Sequence, residues 1–186
     1  NALTASRRAN PTDDVALVIA NAQIDGAPIG ELEAMSYYVI IATAGHDTTS
    51  SSTAGGMLAL LEHPEELKKV INNPALMPLM VDEAIRWTSP VKHFMRYPER
   101  AYELRGKTIE AGSPVMLLYP SGNRDEEVFD RPQSFLADRR PNRHLAFGHG
   151  AHHCLGNLLA KMEIRFLYEA MFNRMKTFEL IGEPRW

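Results

Sequence analysis

A single cysteine among 186 residues excludes an internal disulfide, so nothing in the chain calls for an oxidising compartment. An excess of charge of either sign is also lacking. The 20 Lys and Arg residues stand against 23 Asp and Glu, a net charge of −3, which is not the basic surplus that attracts nucleic acid or an anionic membrane. Long hydrophobic runs are missing as well. The strongest, YYVIIATAG at 37–45, is less than half of the roughly 20 residues needed to cross a bilayer. The opening NALTASRRANPTDD does not have a cationic leader followed by an apolar core. These absences predict a soluble, cytoplasmic monomer with no nucleic-acid partner and no evident membrane partner. The opening without Met and the stop at GEPRW, just after a strand-like KTFEL, predict that sequence is missing at both ends.

What is present reads as one mixed, helix-dominated unit with small β-sheets. Residues 1–11 are polar and read as a loop or the tail of an absent helix. Thr12 or Asp13 is expected to cap a helix running to about Gln23, and DGAPIG at 25–30 is a turn. A long helix is expected from Glu31 to Glu62, stopped by His-Pro. Its centre, ATAGHDTTSSSTAGG, is poor in helix formers, and Thr48 bonding back to a carbonyl would open the helix locally. Shorter helices follow at 64–72 and 75–87. Residues 94–119 turn strand-like, with LRGK as a hairpin turn. The segment 120–154 is a long loop rich in Pro, Gly and Arg, and a loop of that length inside a domain has a task. A last helix is expected from Leu155 to about Met175, apolar at Leu158, Leu159, Met162, Phe166, Leu167 and Ala170.

Three constellations carry chemistry. The first is FGHGAHHCLG at 147–156, where the sole thiol, Cys154, stands directly before a helix start. The amide donors and macrodipole there favour a thiolate. Gly148, Gly150 and Gly156 let the backbone approach something flat or bulky. Zinc held by His149, His152, His153 and Cys154 is an alternative, though four neighbours within six positions rarely close a tetrahedron. A cysteine hydrolase would use Cys154 with a distant histidine, and His46, His63, His93 and His144 are the remaining ones. The second is EAIR, with Glu83 and Arg86 at i, i+3 on a helix apolar nearly all round, which implies a buried ion pair. Arg139 or Arg140 would complete it. The third is AGHDTT at 44–49, where Asp47 and Thr48 form an acid–alcohol pair suited to a proton relay.

Taken together these residues resemble the cytochrome P-450 family of haem-thiolate monooxygenases, specifically its C-terminal half. Phe147, Gly150, His152, Cys154 and Gly156 match the family's haem-binding loop. Glu83 and Arg86 match its Glu-x-x-Arg helix, and Ala44, Gly45, Asp47 and Thr48 match its oxygen-activating motif. The resemblance implies a mainly α fold with small β-sheets (α+β): a long central distal helix, the Glu-x-x-Arg helix, a small sheet, the Cys-ligand loop and a proximal helix, all in one partial domain over 1–186. It implies that Cys154 is the axial ligand of haem b, that Phe147 and Gly148 pack beside it, and that His152 and Arg96 bind propionates. Glu83, Arg86 and Arg139 would form the buried ion network, and Asp47 and Thr48 would supply protons to dioxygen. Thr43, Ala44, Val91, His93 and Phe94 would meet the substrate. Electrons would come from NAD(P)H through a ferredoxin reductase and a ferredoxin, which Arg143, Lys161 and Arg165 would help to dock. The motifs look most like those of bacterial enzymes that oxidise terpene alcohols, with alkane and fatty-acid hydroxylases next. A haem-binding sensor without catalysis is the other reading.

Overall fold

The computed structural model describes residues 2–184. The chain divides into two compact units, residues 1–47 and 48–186, and each is described by itself.

In the first unit the polar N-terminus is helical, α1 spanning Ala2–Ala9, the helix-tail alternative of the two readings and not the loop. Arg7 and Arg8 sit in its last turn, where cations favour the helix dipole. Asp14, not Thr12 or Asp13, caps α2 (Val15–Ala20), its side chain accepting from Leu17 N. That backbone hydrogen bond, with support from Thr12 and Arg7, holds the Asp14 carboxyl below its ordinary range. Competition among three adjacent polar residues explains the shifted cap, because the one that also pairs with Arg7, at 2.8 Å, is held in place. A two-residue hairpin, β1 (Gln23–Ile24) with β2 (Ala27–Pro28), follows. Ile19, Ile29 and Ala34 form a small core.

Helix α3 runs without interruption over Glu31–Glu62, so the local opening expected at its weak centre is absent. Hydroxyls there are absorbed into the helix: Thr43 Oγ1 donates to Val39 O and Thr53 Oγ1 to Thr49 O, both at 2.8 Å. Such back-bonding leaves the main-chain ladder intact while removing the polar cost of the side chain.

The second unit is built on the C-terminal part of α3 together with α4 (Pro64–Asn72), α5 (Met77–Thr88) and α7 (Asn157–Arg174). Leu60, Val70, Met80, Val81, Ile85, Phe135, Ile164 and Tyr168 fill the core. Three elements meet most closely at Gly56. A Cβ there would lie 2.5 Å from Ala84 Cβ and 2.6 Å from the Tyr168 hydroxyl. Tyr168 donates to Thr53 O at 2.6 Å, and burial pushes its phenol far above the ordinary range. The strand-like stretch resolves into two short antiparallel pairs: β3 (His93–Arg96) with β6 (Val115–Leu118), and β4 (Tyr102–Leu104) with β5 (Lys107–Ile109). The expected hairpin turn is present, with Arg105 and Gly106 both left-handed, as a two-residue connection between twisted strands requires. Helix α6 (Tyr119–Gly122) opens the long loop. The last helix begins two residues later than expected, and KTFEL at 176–180 forms no strand; an isolated apolar segment has no ladder partner to make it one. Among the described residues no helix is long and apolar enough to cross a membrane.

Candidate functional site

The long loop is held from below by one carboxylate. Glu83 and Arg86 lie on the same face of α5 with fully buried side chains. Arg86 donates to both Glu83 oxygens, at 2.7 and 2.8 Å. Arg139 reaches the same carboxylate, its Nε 2.9 Å from Oε2. Arg140, the other candidate for this place, is exposed. Two guanidinium groups on one carboxylate leave several N–H donors over, and loop carbonyls take them. Arg86 donates to the carbonyls of Asn123, Pro132 and Ser134, and Arg139 to those of Asp130, Arg131 and Ser134. Glu83 also accepts from Leu136 N at 2.9 Å and from Asn142 Nδ2 at 3.1 Å. The Phe129 ring lies beside both guanidinium groups, at 5.3 and 5.9 Å. A buried charge needs this many partners, because each unsatisfied one carries its full desolvation cost. Segment 123–142 is therefore fixed by polar bonds to α5 rather than by regular structure of its own.

Asn123 carries the restraint onward. Fully buried, it donates to Ser89 Oγ at 2.7 Å and accepts from Leu145 N at 2.6 Å. Gly148 N then bonds Leu145 O, and Cys154 N bonds Phe147 O, both at 2.8 Å. Gly148 and Gly150 are left-handed, at φ 73° and 71°, a region a side chain would strain. A short 3₁₀ turn, Gly150–His152, precedes Cys154. The half-buried Phe147 ring has His144 and His153 at 5.7 and 6.4 Å and the Lys161 ammonium at 5.6 Å. Lys161 Nζ lies 2.6 Å from Asp82 Oδ1, and His144 Nε2 lies 3.7 Å from the same oxygen. Burial alone would raise the Asp82 pKa, but the contacts with His144 and Lys161 outweigh it and hold the carboxyl below its ordinary range. Arg165 lies over the Phe166 ring, at 4.8 Å.

The thiol of Cys154 is exposed, and the apolar residues that follow it in the chain, Leu155, Leu158 and Leu159, are 92%, 71% and 60% exposed. A Cβ on Gly150 would meet nothing within 4 Å, so the loop is open on that side. Among the described residues no group of three or more His, Cys, Asp or Glu is placed to hold a metal ion, which leaves the zinc reading without a ligand set. A single soft sulfur donor, exposed in an open glycine loop, fits a metal that brings its other ligands in a broad, flat ring. His152 is exposed, and Arg96 on β3 is half-buried with Nη1 on Met95 O at 2.8 Å.

Thr43, Ala44, Gly45 and Asp47 belong to the first unit and Thr48 to the second. Asp47 is exposed, its Oδ1 2.7 Å from His46 Nδ1, while Thr48 is half-buried. Val91 is half-buried, and His93 and Phe94 on β3 are exposed, with the Phe94 ring 6.0 Å from that of Tyr119. Sequence reasoning passed over Ser89, Asn123, Asn142 and Asp82 and gave His144 no place in the site. Their partners lie far away in the chain, and no periodicity marks them.

Comparison with known proteins gives the family. The family model described as cytochrome P-450 matches residues 5–181. The chain is 51% identical over 185 residues to cytochrome P-450-terp of a Pseudomonas species, covering 100% of this chain and 43% of that protein. It is 37% identical over 182 residues to a steroid C26-monooxygenase of Mycobacterium tuberculosis, covering 98% of this chain and 49% of that one. The crystal structure of CYP108D1 from Novosphingobium aromaticivorans superposes with a TM-score of 0.93 at 50% identity, covering 98% of this chain and 44% of the other. The chain thus spans about half the length of the curated relatives it matches. With an exposed thiol in a glycine loop, a buried Glu-x-x-Arg network tied to it through Asn123 and a family match over nearly its whole length, the chain belongs to the cytochrome P-450 family.

Proposed function

We propose that this chain is the haem-binding, C-terminal part of a monooxygenase that hydroxylates a small apolar substrate. The observation that carries this reading is the exposed Cys154 thiol in a loop tied, through Asn123 and segment 123–142, to the fully buried Glu83–Arg86 pair. Bound haem would supply the redox chemistry that activates dioxygen. The chain's own residues have separate tasks. Cys154 Sγ, in the turn that precedes α7, would be the protein's ligand to the haem iron, deprotonated by coordination itself. Phe147, whose carbonyl accepts from Cys154 N, would pack beside that sulfur once haem is bound. His152 and Arg96 offer cationic or donor groups to the carboxylates at the ring's edge. Asp47 and Thr48 would hold and pass a proton. Glu83, Arg86 and Arg139 act only through the loop they fix.

A terpene or terpene alcohol is the substrate class this reading favours, supported by 51% identity to a protein named cytochrome P-450-terp. An alkane or fatty acid is the alternative. Val91, His93 and Phe94 are the positions in this half assigned to substrate contact. Electrons from NAD(P)H would arrive through a ferredoxin reductase and a ferredoxin.

The test is the ferrous–CO absorption spectrum of the full-length protein beside Cys154→Ala. The expected outcome is a strongly red-shifted Soret band that the substitution abolishes. A spectrum without haem, or one indifferent to Cys154, overturns the assignment.

A further inference from the structure

We propose that Asp82, His144 and Lys161 form a positioning network that sets the reduction potential of the metal held by Cys154. The proposal rests on the haem-thiolate reading above. None of the three belongs to the motifs that mark the site, and the proton relay uses none of them. They come from three separate elements, helix α5, the loop before Phe147, and α7. All three converge on the Cys loop.

Lys161 stands in the second turn of α7, with its ammonium 5.6 Å from the centre of the Phe147 ring. Asp82 holds it there at 2.6 Å, and His144 lies against both the same carboxylate oxygen and the same ring. The His144 side chain is only 6% exposed, and its Nδ1 has no hydrogen-bond partner. Its one polar anchor in this cluster is therefore Asp82. Phe147 is joined to the thiolate residue directly, its carbonyl accepting from Cys154 N at 2.8 Å. Asp82 thus performs two tasks. It fixes Lys161 and His144 against the ring, and it cancels one positive charge beside the thiolate loop.

The sign of the effect follows from charge. A positive group near a metal favours its reduced form, and a negative group its oxidised form. Because these groups are partly withdrawn from water, salt screens them less than surface charges. Loss of the Asp82 charge leaves Lys161 uncompensated and raises the potential. Loss of the Lys161 charge leaves Asp82 uncompensated and lowers it.

The experiment is a spectroelectrochemical titration of the full-length holoprotein carrying Asp82→Asn, Lys161→Met or both, with Asp82→Glu as the conservative control. The expected result is opposite shifts in the single variants, a return towards the wild-type potential in the double variant, and little change in Asp82→Glu. A network that is merely structural gives unchanged potentials, or shifts of one sign that follow the loss in Tm, and either result overturns the proposal. Should Asp82→Asn fail to hold haem, Lys161→Met decides alone: a fall supports the network, and no change or a rise overturns it. A wild-type ferrous–CO band lacking thiolate character overturns the haem-thiolate reading itself, whereas a normal band with unmoved potentials overturns the network only.

Discussion

The Glu83 network and the Cys154 loop lie in the same unit and are organised in opposite ways. Around Glu83 every principal side chain is buried, and its charges are met by named partners: two guanidinium groups, a backbone N–H and an amide. Around Cys154 the thiol is exposed and the neighbouring leucines face outward. The first arrangement has one low-energy state, because any displacement strands a buried charge. The second leaves a reactive donor accessible, and its backbone is fixed by turns rather than by packing. Rigidity beneath and access above is the division of labour expected of a site that must present one ligand atom in a set position.

That contrast is open to test, beginning with the largest effect. Glu83→Ala strips the carboxylate from two buried guanidinium groups, and we expect a loss of about 3–5 kcal/mol in denaturant unfolding of the full-length protein. A loss near that of a surface charge would show the network to be dispensable. Glu83 and Arg139 substitutions should also be strongly non-additive, since they share one partner.

Gly56→Ala probes the packing that joins α3, α5 and α7. Its new methyl would fall within 2.6 Å of both Ala84 Cβ and the Tyr168 hydroxyl, with an expected cost of about 1–3 kcal/mol. Combining it with Tyr168→Phe should recover part of the loss, because the hydroxyl is one of the two clashing atoms.

A smaller effect is expected from acid. The folded Asp82 carboxyl titrates below its unfolded value, so its contribution is present above about pH 4 and fades as pH falls through the folded pKa. Asp82→Asn should therefore flatten the acid limb of a Tm-versus-pH profile. An acid limb identical to wild type would show that Lys161 and His144 do not favour the charged form. Least of all should come from Arg105→Ala. Its pair with Glu127 is solvent-exposed on both sides, and Tm is expected to stay within error.

Much of the site was legible in the chain because its motifs are local. EAIR places Glu83 and Arg86 on one face of a helix by spacing alone, and an all-round apolar helix implies burial; the structure has both. The LRGK turn was legible for the same reason, since two adjacent residues must take left-handed backbone. Where sequence reasoning missed, a tertiary or competing local bond had prevailed. The centre of α3 stays helical because its hydroxyls bond back within the helix. The α2 cap falls on Asp14 because Arg7 holds it. Residues 2–9 form a helix in which Thr4 is buried and its hydroxyl lies 3.3 Å from Tyr38, a contact that no reading of the first eleven residues can supply.

The sequence by itself determined the chemistry at hand: one thiol, its place before a helix, and the acid, alcohol and ion-pair residues at helical spacing. Those follow from residue identity and short-range geometry. Only the tertiary structure decided that Asn123 ties the long loop to Leu145, and that Asp82 and Lys161 face each other beside Phe147. These contacts join residues 14 to 79 positions apart along the chain. They arise because buried donors and acceptors must find partners wherever the packed helices bring them.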